Sequence, residues 1–166
     1  MVTIRPATIS DVARITEIYN EAIKNTTATF DTETKTVEER QQWFRSHDEQ
    51  HPVIVAEVNE EVIGFASLSK WSDRSAYDGT AEVSVYIDHN HRGKGVGKRL
   101  LEVLTLEGAK AGLFNLISRI TEGNLSSIHI HEQLGFEHIG VMKLAGKKFD
   151  KFLDVHMMQK LLVDKR

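Results

Sequence analysis

The sequence predicts a mixed α/β domain in which a sheet is flanked by helices. Near the middle of the chain, a β-rich segment with alternating side chains is followed by a glycine-rich turn and then by residues at helical spacing. Segments with strand-like alternation and segments with helical spacing also follow one another along the rest of the chain. The 166 residues contain no internal repeat, low-complexity run or linker. Residues 1–166 are therefore predicted to form one domain with a sizeable core.

The chain opens with a short predicted strand, residues 2–5, which Pro6 closes. Apolar residues then recur at helical spacing over residues 12–22, after several candidate cap residues, and this pattern predicts an amphipathic helix. Residues 25–34 are rich in threonine and show little periodicity. We expect a loop there, with Phe30 as its one large apolar anchor.

A second helix is predicted from Thr36-Val37-Glu38-Glu39, which matches a capping box. Trp43 and Phe44 on this helix are expected to pack in the core. Two β-rich segments follow, residues 53–58 and 62–68, and a short polar turn separates them. This arrangement predicts a β-hairpin.

A polar connection, residues 71–80, leads into the central predicted strand, residues 81–87. The glycine-rich turn comes next and starts a helix that runs to about Ala111. Gly112 is a suitable residue just past the end of this helix, because glycine adopts a left-handed conformation without steric cost.

The last part of the chain predicts a strand, residues 116–121, and a short helix, residues 124–134. Two more strands are predicted at residues 137–144 and 153–161, around a Gly146-Lys147-Lys148 loop. Both lysines of this loop are expected to be solvated, as most surface lysines are.

The composition excludes several classes of protein. The net charge is −3 and the pI is near 6.2, which argues against a dedicated nucleic-acid-binding protein. The chain has no cysteine, so it has no disulfide, thiolate metal site or cysteine nucleophile. No apolar run approaches the length of a membrane span and the N-terminus lacks a signal-like segment. We therefore expect a cytoplasmic protein that does not contact membranes.

The glycine-rich turn is the strongest functional motif. In His91-Arg92-Gly93-Lys94-Gly95-Val96-Gly97, glycines and basic residues precede a helix N-terminus, whose free backbone N–H groups and dipole favour an anion. The spacing matches neither a P-loop nor the dinucleotide-binding pattern, which needs a third glycine where Lys98 stands. The turn therefore indicates a pyrophosphate site, and the simpler alternative is a turn that only caps the helix.

This motif resembles the acetyl-CoA signature of the GNAT N-acetyltransferase superfamily. The likeness extends over nearly the whole chain, from Ile4-Arg5-Pro6-Ala7 to Leu134-Gly135-Phe136. Further segments are similar to the phosphinothricin and methionine sulfoximine acetyltransferase branch of the superfamily. Among them are Thr29-Phe30-Asp31-Thr32, Arg74-Ser75-Ala76-Tyr77-Asp78 and Glu82-Val83-Ser84-Val85-Tyr86-Ile87.

The resemblance implies a fold, a reaction and a set of binding residues. The fold would be a mixed, mostly antiparallel twisted sheet that is splayed at the central strand. Acetyl would pass from acetyl-CoA to the primary amine of a small amino-acid-type substrate by direct attack in a ternary complex, without a metal, in a homodimer. The residues implied for acetyl-CoA are Val85, Tyr86, Ile87, Arg92, Gly93, Lys94, Gly95, Val96, Gly97, Lys98 and Asn124.

Glu82 is the candidate proton acceptor, because an amine is mostly protonated at neutral pH and must lose a proton before it attacks. Strand alternation places Glu82, Ser84 and Tyr86 on one face. The apolar Val83, Val85 and Ile87 share the other face. A carboxylate in a central strand needs a reason, since its burial is costly. The alternatives to a catalytic role are a structural ion pair and a bulge that turns the side chain to solvent.

His131 is the candidate proton donor to the departing thiolate, and the alternative is a packed or surface histidine. His129, two residues earlier, points to a different face of the helix, so the two histidines are not expected to bind a metal. Arg74 and Tyr77 are candidate anchors for a substrate carboxylate, because arginine offers a bidentate fork, and the alternative is a solvated loop charge. Phe30 is a candidate wall of the substrate pocket.

Two departures from the family pattern and two functional alternatives stay open. His131 stands where many relatives carry tyrosine, and Gly79 stands where close relatives often carry tryptophan. The first alternative is acetylation of a protein N-terminus or a polyamine. The second is a non-catalytic acyl-CoA sensor, against which the presence of Glu82 argues.

Overall fold

The computed structural model describes residues 1–163. Within these residues, seven strands form one sheet. They are β1 (Thr3–Pro6), β2 (Val53–Val58), β3 (Glu61–Lys70), β4 (Thr80–Ile87), β5 (Asn115–Thr121), β6 (Glu137–Lys148) and β7 (Lys151–Leu161). Four α-helices flank the sheet. They are α1 (Val12–Asn25), α2 (Val37–Arg45), α3 (Val96–Lys110) and α4 (Leu125–Gln133). The mixed α/β fold with flanking helices is confirmed.

The strand order is β1-β2-β3-β4-β5-β7-β6, and every neighbouring pair is antiparallel except β4 and β5. The parallel ladder between β4 and β5 is short and ends where Glu82 lies opposite Ile117. Beyond that point the two strands diverge, so the expected splay of the sheet is confirmed. It leaves one edge of β4 without a strand partner over Val83–Ile87.

The two faces of the sheet carry separate apolar clusters. On one face, α3 packs Leu100, Leu101 and Leu104 against alternate residues of β2, β3 and β4. On the other face, α1 packs against the intervening residues, with Trp43 and Phe44 of α2 at the margin. Val83 belongs to the α3 cluster and Tyr86 packs against the α1 cluster, so the predicted alternation along β4 is confirmed.

Local sequence signals set most of the boundaries. The Thr36 hydroxyl accepts a hydrogen bond from the Glu39 backbone N–H at 3.1 Å, and the Glu39 carboxylate accepts one from the Thr36 N–H, which completes the capping box of α2. Helix α3 stops before Gly112, whose φ of +89° is left-handed. Asn59 and Glu60 form the hairpin turn between β2 and β3, both with positive φ.

The predicted loop at Gly146–Lys148 is wrong. These residues belong to β6, and the hairpin turn comes later, at Phe149 and Asp150, whose φ values are +52° and +58°. Two left-handed residues match the twist of an antiparallel pair. Phenylalanine is unusual in that conformation, so the sequence carried no turn signal there.

Lys148 is also not solvated, contrary to the sequence prediction. It is buried, and its ammonium donates a hydrogen bond of 2.8 Å to the Thr29 carbonyl in the loop between α1 and α2. Burial lowers the pKa of Lys148. Phe30 lies beside this contact, with its ring against the backbone of Gly146. The end of β6 therefore packs against the α1–α2 loop and is hydrogen-bonded to it.

No helix among residues 1–163 combines the length and apolar character that a membrane span requires. Within the same residues, no group of three or more histidine, aspartate or glutamate side chains is arranged to hold a metal ion.

Candidate active site

Two concave spaces meet at the splayed part of β4. The first, the Glu82 cavity, has a volume of about 490 Å³. Its lining includes Ala28, Thr29, Phe30, Glu82, Ser84, Ser118, Arg119, Thr121, Met142, Ala145 and Val155. The second, the glycine-turn groove, has a volume of about 650 Å³. Its lining includes Thr26, Thr27, Ile87, His91, Arg92, Gly93, Gly95, Val96, Gly97, Gly123, Ser126 and Ile130.

Six residues line both spaces and mark their junction. They are Ala28, Val85, Tyr86, Asn124, Ser127 and His131. Val85 and Tyr86 come from the edge of β4 that has lost its partner, whereas the last three belong to the start and first turns of α4. The splay of the sheet therefore creates an opening through which a molecule in the groove can reach a molecule in the cavity.

The free edge of β4 exposes backbone polar groups to this opening. The Asp88 N–H donates to the Ile63 carbonyl of β3 at 2.8 Å. Consecutive residues of a strand direct their backbone groups to opposite edges, so the groups of Val85 and Ile87 face away from β3. The Ile87 carbonyl accepts a hydrogen bond of 3.2 Å from Arg92 Nε. The N–H and carbonyl of Val85 face the splay.

The glycine turn is shaped for a close approach to its backbone. Gly93 and Gly95 have φ values of +76° and +82°, and a side chain added at either would meet no atom within 4 Å. Gly95 is the N-cap of α3, with no side-chain cap to its N–H groups. Open space, left-handed backbone and uncapped donors together suit an anion such as a pyrophosphate.

The basic residues around the turn are placed differently from one another. Arg92 lines the groove and forms a 2.7 Å ion pair with Glu21 of α1. Lys94 is exposed and Lys98 is half-buried; neither is part of the groove lining within the described chain. Their positive charges lie beside the groove and not in its wall. Asn124 is the N-cap of α4, where its side chain accepts from the Ser127 N–H at 3.2 Å.

Glu82 lies in the cavity and forms an ion pair, which the sequence left open as the alternative to a catalytic role, with a partner that the sequence did not specify. Both of its carboxylate oxygens accept hydrogen bonds from Arg119 of β5, at 2.5 Å from Nε and 2.7 Å from the terminal nitrogen. The Glu82 carboxylate raises the pKa of the Arg119 guanidinium. The Glu82 side chain keeps 21% of its exposure and that of Arg119 keeps 49%. The carboxylate thus stays open to a ligand in the cavity.

His131 is buried at the junction. Its Nδ1 lies 2.7 Å from the Ser127 carbonyl and its Nε2 lies 2.8 Å from the Ser118 hydroxyl. A carbonyl only accepts, so Nδ1 carries the proton and Nε2 accepts from Ser118. Burial lowers the pKa of His131, so the ring is neutral at neutral pH. His129, by contrast, is exposed.

The lowered pKa of His131 predicts a pH dependence of folding. The unfolded histidine takes up a proton below about pH 6.5, whereas the folded one resists it. The free energy of unfolding should therefore fall as the pH drops from about 6.5 toward the folded pKa. His131→Gln should lose less stability than the parent between about pH 7.5 and 5.5 in urea titrations. Part of this pH-dependent loss of stability should remain in the variant, because burial also lowers the pKa of His47.

The matched control is His129→Gln on the exposed face of α4, which should keep the full drop of the parent. An unchanged drop in His131→Gln would contradict the assignment of the buried ring as a neutral group.

The remaining predicted residues divide into two groups. Phe30 lines the Glu82 cavity, as expected for a wall. Arg74 and Tyr77 lie on the exposed connection before β4, and among the described residues neither lines the cavity or the groove. Arg119, Ser118 and Ser127 line the cavity but were missed. The signal that could have found Arg119 is a charged residue inside an otherwise uncharged strand.

Gly79 shows how the chain compensates for a small residue before β4. The ring of Phe114 lies where a side chain at Gly79 would project, with the nearest ring atom 1.9 Å from the added carbon. The backbone N–H of Phe114 also donates to the Gly79 carbonyl at 2.9 Å. A larger residue at position 79 would displace this ring.

Comparison with known proteins is consistent with this geometry. The family model described as an acetyltransferase (GNAT) domain matches residues 4–157. An L-methionine sulfoximine/L-methionine sulfone acetyltransferase of Pseudomonas aeruginosa is 39% identical over 95% of this chain and 92% of its own.

Two solved structures are also similar. The yncA protein from Salmonella typhimurium, solved with its cofactor acetyl-CoA, has a TM-score of 0.96 at 36% identity, covering 99% of this chain and 95% of its own. A phosphinothricin acetyltransferase from Sinorhizobium meliloti in complex with acetyl-CoA has a TM-score of 0.93 at 36% identity, covering 96% and 88%.

Proposed function

The chain belongs to the GNAT acetyltransferase family, and we propose on this basis that it transfers acetyl from acetyl-CoA to the primary amine of a small amino-acid-type substrate. The observation that carries the proposal is the junction of the glycine-turn groove and the Glu82 cavity at the splayed edge of β4. Two substrates can bind there at the same time and meet, as direct attack in a ternary complex requires.

The groove suits acetyl-CoA along its length. Gly93 to Lys98 would hold the pyrophosphate with backbone N–H groups at the start of α3. The free backbone of Val85 and Ile87, with Tyr86 between them and Asn124 opposite, would hold the pantetheine arm. Acetyl-CoA supplies an activated acetyl group as a thioester, and this arrangement brings the thioester to the junction.

Glu82 takes the proton that the substrate ammonium must lose, either directly or through a water molecule. The freed amine nitrogen attacks the thioester carbonyl carbon. A C–N bond forms, the C–S bond breaks and the sulfur leaves as a thiolate, while the nitrogen gives up its second proton to water so that the product is a neutral amide. A proton acceptor in the cavity is the essential protein group in this reaction, and Glu82 is the one carboxylate among the described residues that line the cavity.

His131 remains the predicted proton donor to the thiolate. It lines both spaces, as the role requires. Its neutral ring and its bond to the Ser127 carbonyl restrict the role, because a neutral imidazole gives up a proton far less readily than an imidazolium. A thiolate also persists without a donor better than an alkoxide does, because thiol pKa values lie near 8.5.

The amino-acid class of substrate is supported by the relatives named for methionine sulfoximine, methionine sulfone and phosphinothricin. The test is an amine panel in which thiol release from acetyl-CoA is followed. L-methionine sulfoximine and L-phosphinothricin should react far better than spermidine or an N-terminal peptide. Equal rates with spermidine or the peptide would favour those substrates instead. Acetyl-CoA binding without thiol release from any amine would identify a sensor.

We further propose a homodimer in the cytoplasm, with residues 1–166 as a single domain. The apolar side chains that β6 and β7 leave exposed, including Ile139, Leu144 and Phe152, support the homodimer. A second copy that covered these residues would remove apolar surface from water.

A further inference from the structure

The ion pair between Glu82 and Arg119 occupies the position where a substrate amine must bind. Both side chains line the Glu82 cavity. Sheet register explains their meeting: Glu82 lies opposite Ile117 in the parallel ladder, and Arg119 is two residues further on the same face of β5. The strands diverge beyond this pair, so the two side chains can reach toward each other across the widening gap.

Arg119 is the only lysine or arginine among the described residues that line the Glu82 cavity. The ring of Trp71 lies beside it, with its centroid 5.7 Å from the guanidinium carbon. An aromatic face at this distance attracts a cation and helps to fix its position. A carboxylate that enters the cavity therefore has one positioned cation to pair with, and that cation is already beside the proton acceptor.

We propose that Arg119 anchors the carboxylate of the amino-acid substrate and that the substrate replaces the internal ion pair. An α-amino acid carries an ammonium and a carboxylate on one carbon, and this arrangement is complementary to an adjacent glutamate and arginine. The ammonium would pair with Glu82 and the carboxylate with the fork of Arg119. This inference rests on the proposed function and names the residue that selects its substrate class.

The exchange is physically accessible because the pair is partly solvated. Half of the Arg119 side chain remains exposed, and partly exposed ion pairs contribute little net stability. Substrate binding would replace one charge-assisted contact with two. It would also release the lone pairs of Glu82 that Arg119 engages in the free enzyme, so that they are available to the substrate ammonium.

The proposal distinguishes Arg119 from Arg74, the anchor that the sequence predicts. Arg74 is exposed on the connection before β4, and within the described chain it does not line the cavity. The guanidinium of Arg119, in contrast, bonds directly to the proton acceptor. The amine and the carboxylate of an α-amino acid are bonded to the same carbon, which favours an arginine that already contacts the proton acceptor.

The experiment compares L-methionine sulfone with the primary carboxamide of the same amino acid, under saturating acetyl-CoA. The parent should prefer the acid in kcat/KM by roughly 10- to 150-fold, as expected for one charge-assisted contact. Arg119→Met should abolish most of this preference through a higher KM for the acid, with a much smaller effect on the carboxamide. Arg119→Lys keeps the charge without the fork and should restore part of the preference.

Arg74→Ala is the matched control and should keep the preference of the parent. If Arg119→Met retains the preference while Arg74→Ala loses it, Arg119 is not the anchor. A parent enzyme that acetylates both compounds equally would also reject the anchor but leave the acetyltransferase intact. A parent that acetylates neither compound would reject the proposed function itself. An unchanged KM for acetyl-CoA in Arg119→Met shows that any loss is local.

Discussion

Glu82→Gln is expected to lower turnover by about 10²-fold or more while acetyl-CoA affinity stays nearly unchanged. The amide keeps the shape of the carboxylate but cannot accept the proton of the substrate ammonium. Glu82 lies in the cavity, outside the residues that line the glycine-turn groove, so binding of acetyl-CoA should not depend on its charge. Steady-state kinetics and calorimetry measure the two quantities separately.

The pH–rate profile at subsaturating amine sharpens this expectation, because the variant should lose the acidic limb of the parent. Glu57→Gln is a matched control: Glu57 also pairs with an arginine, at 2.9 Å from Arg5, and its side chain is 24% exposed against 21% for Glu82. This control should leave the profile intact. If the limb and the rate persist in Glu82→Gln, the proton leaves by another route, and His131 is the next group to test.

Gly95→Asp should weaken acetyl-CoA binding by several kcal/mol, which is about 10²-fold or more in Kd. The new carboxylate would stand at the start of α3, where the turn offers its open backbone to the pyrophosphate. Its charge would repel the anion, and its side chain would occupy the space that the anion needs. Aspartate visits the left-handed region more readily than most residues, so α3 should remain folded. Calorimetry with acetyl-CoA measures the loss.

Backbone strain must be separated from charge in this experiment, because a non-glycine residue at a φ of +82° costs about 1–2 kcal/mol. Gly95→Ala introduces the strain at the turn without the charge and should lose less affinity. Gly112→Ala introduces similar strain, at a φ of +89°, at the other end of the same helix. It should leave affinity unchanged. Full affinity in folded Gly95→Asp would refute the pyrophosphate assignment.

Much of the architecture follows from short-range signals that a sequence displays. The capping box at Thr36, the alternation along β4 and the glycine after α3 each fix a local conformation by themselves, and the structure confirms all three. The turn at Phe149 and Asp150 lacks such a signal. Its conformation is imposed by the pairing of β6 with β7, which local propensity does not reveal.

The candidate site depends on register, and this explains what sequence reasoning missed. Glu82 and the glycine turn stand out because their chemistry is unusual at their positions. Arg119 becomes meaningful only once β4 and β5 are paired in parallel with Glu82 opposite Ile117. The burial of Lys148 similarly depends on the packing of the α1–α2 loop over the end of β6.

The histidines illustrate the same limit at the level of a single side chain. Helical spacing correctly separates His129 from His131, because residues two apart face different directions. Spacing alone does not reveal that His131 is held between Ser118 and the Ser127 carbonyl. These two contacts come from β5 and from the preceding turn of α4, and they determine which ring nitrogen carries the proton.

The central claim is that acetyl moves from acetyl-CoA to the amino nitrogen of an amino acid at the junction of the two spaces. The most direct measurement is product analysis of the reaction with L-methionine sulfoximine, by mass spectrometry together with thiol release. The account predicts one N-acetyl amino acid for each thiol released, with the acetyl group on the α-nitrogen. Thiol release without this product, or no reaction at all with the amino acid, would contradict it.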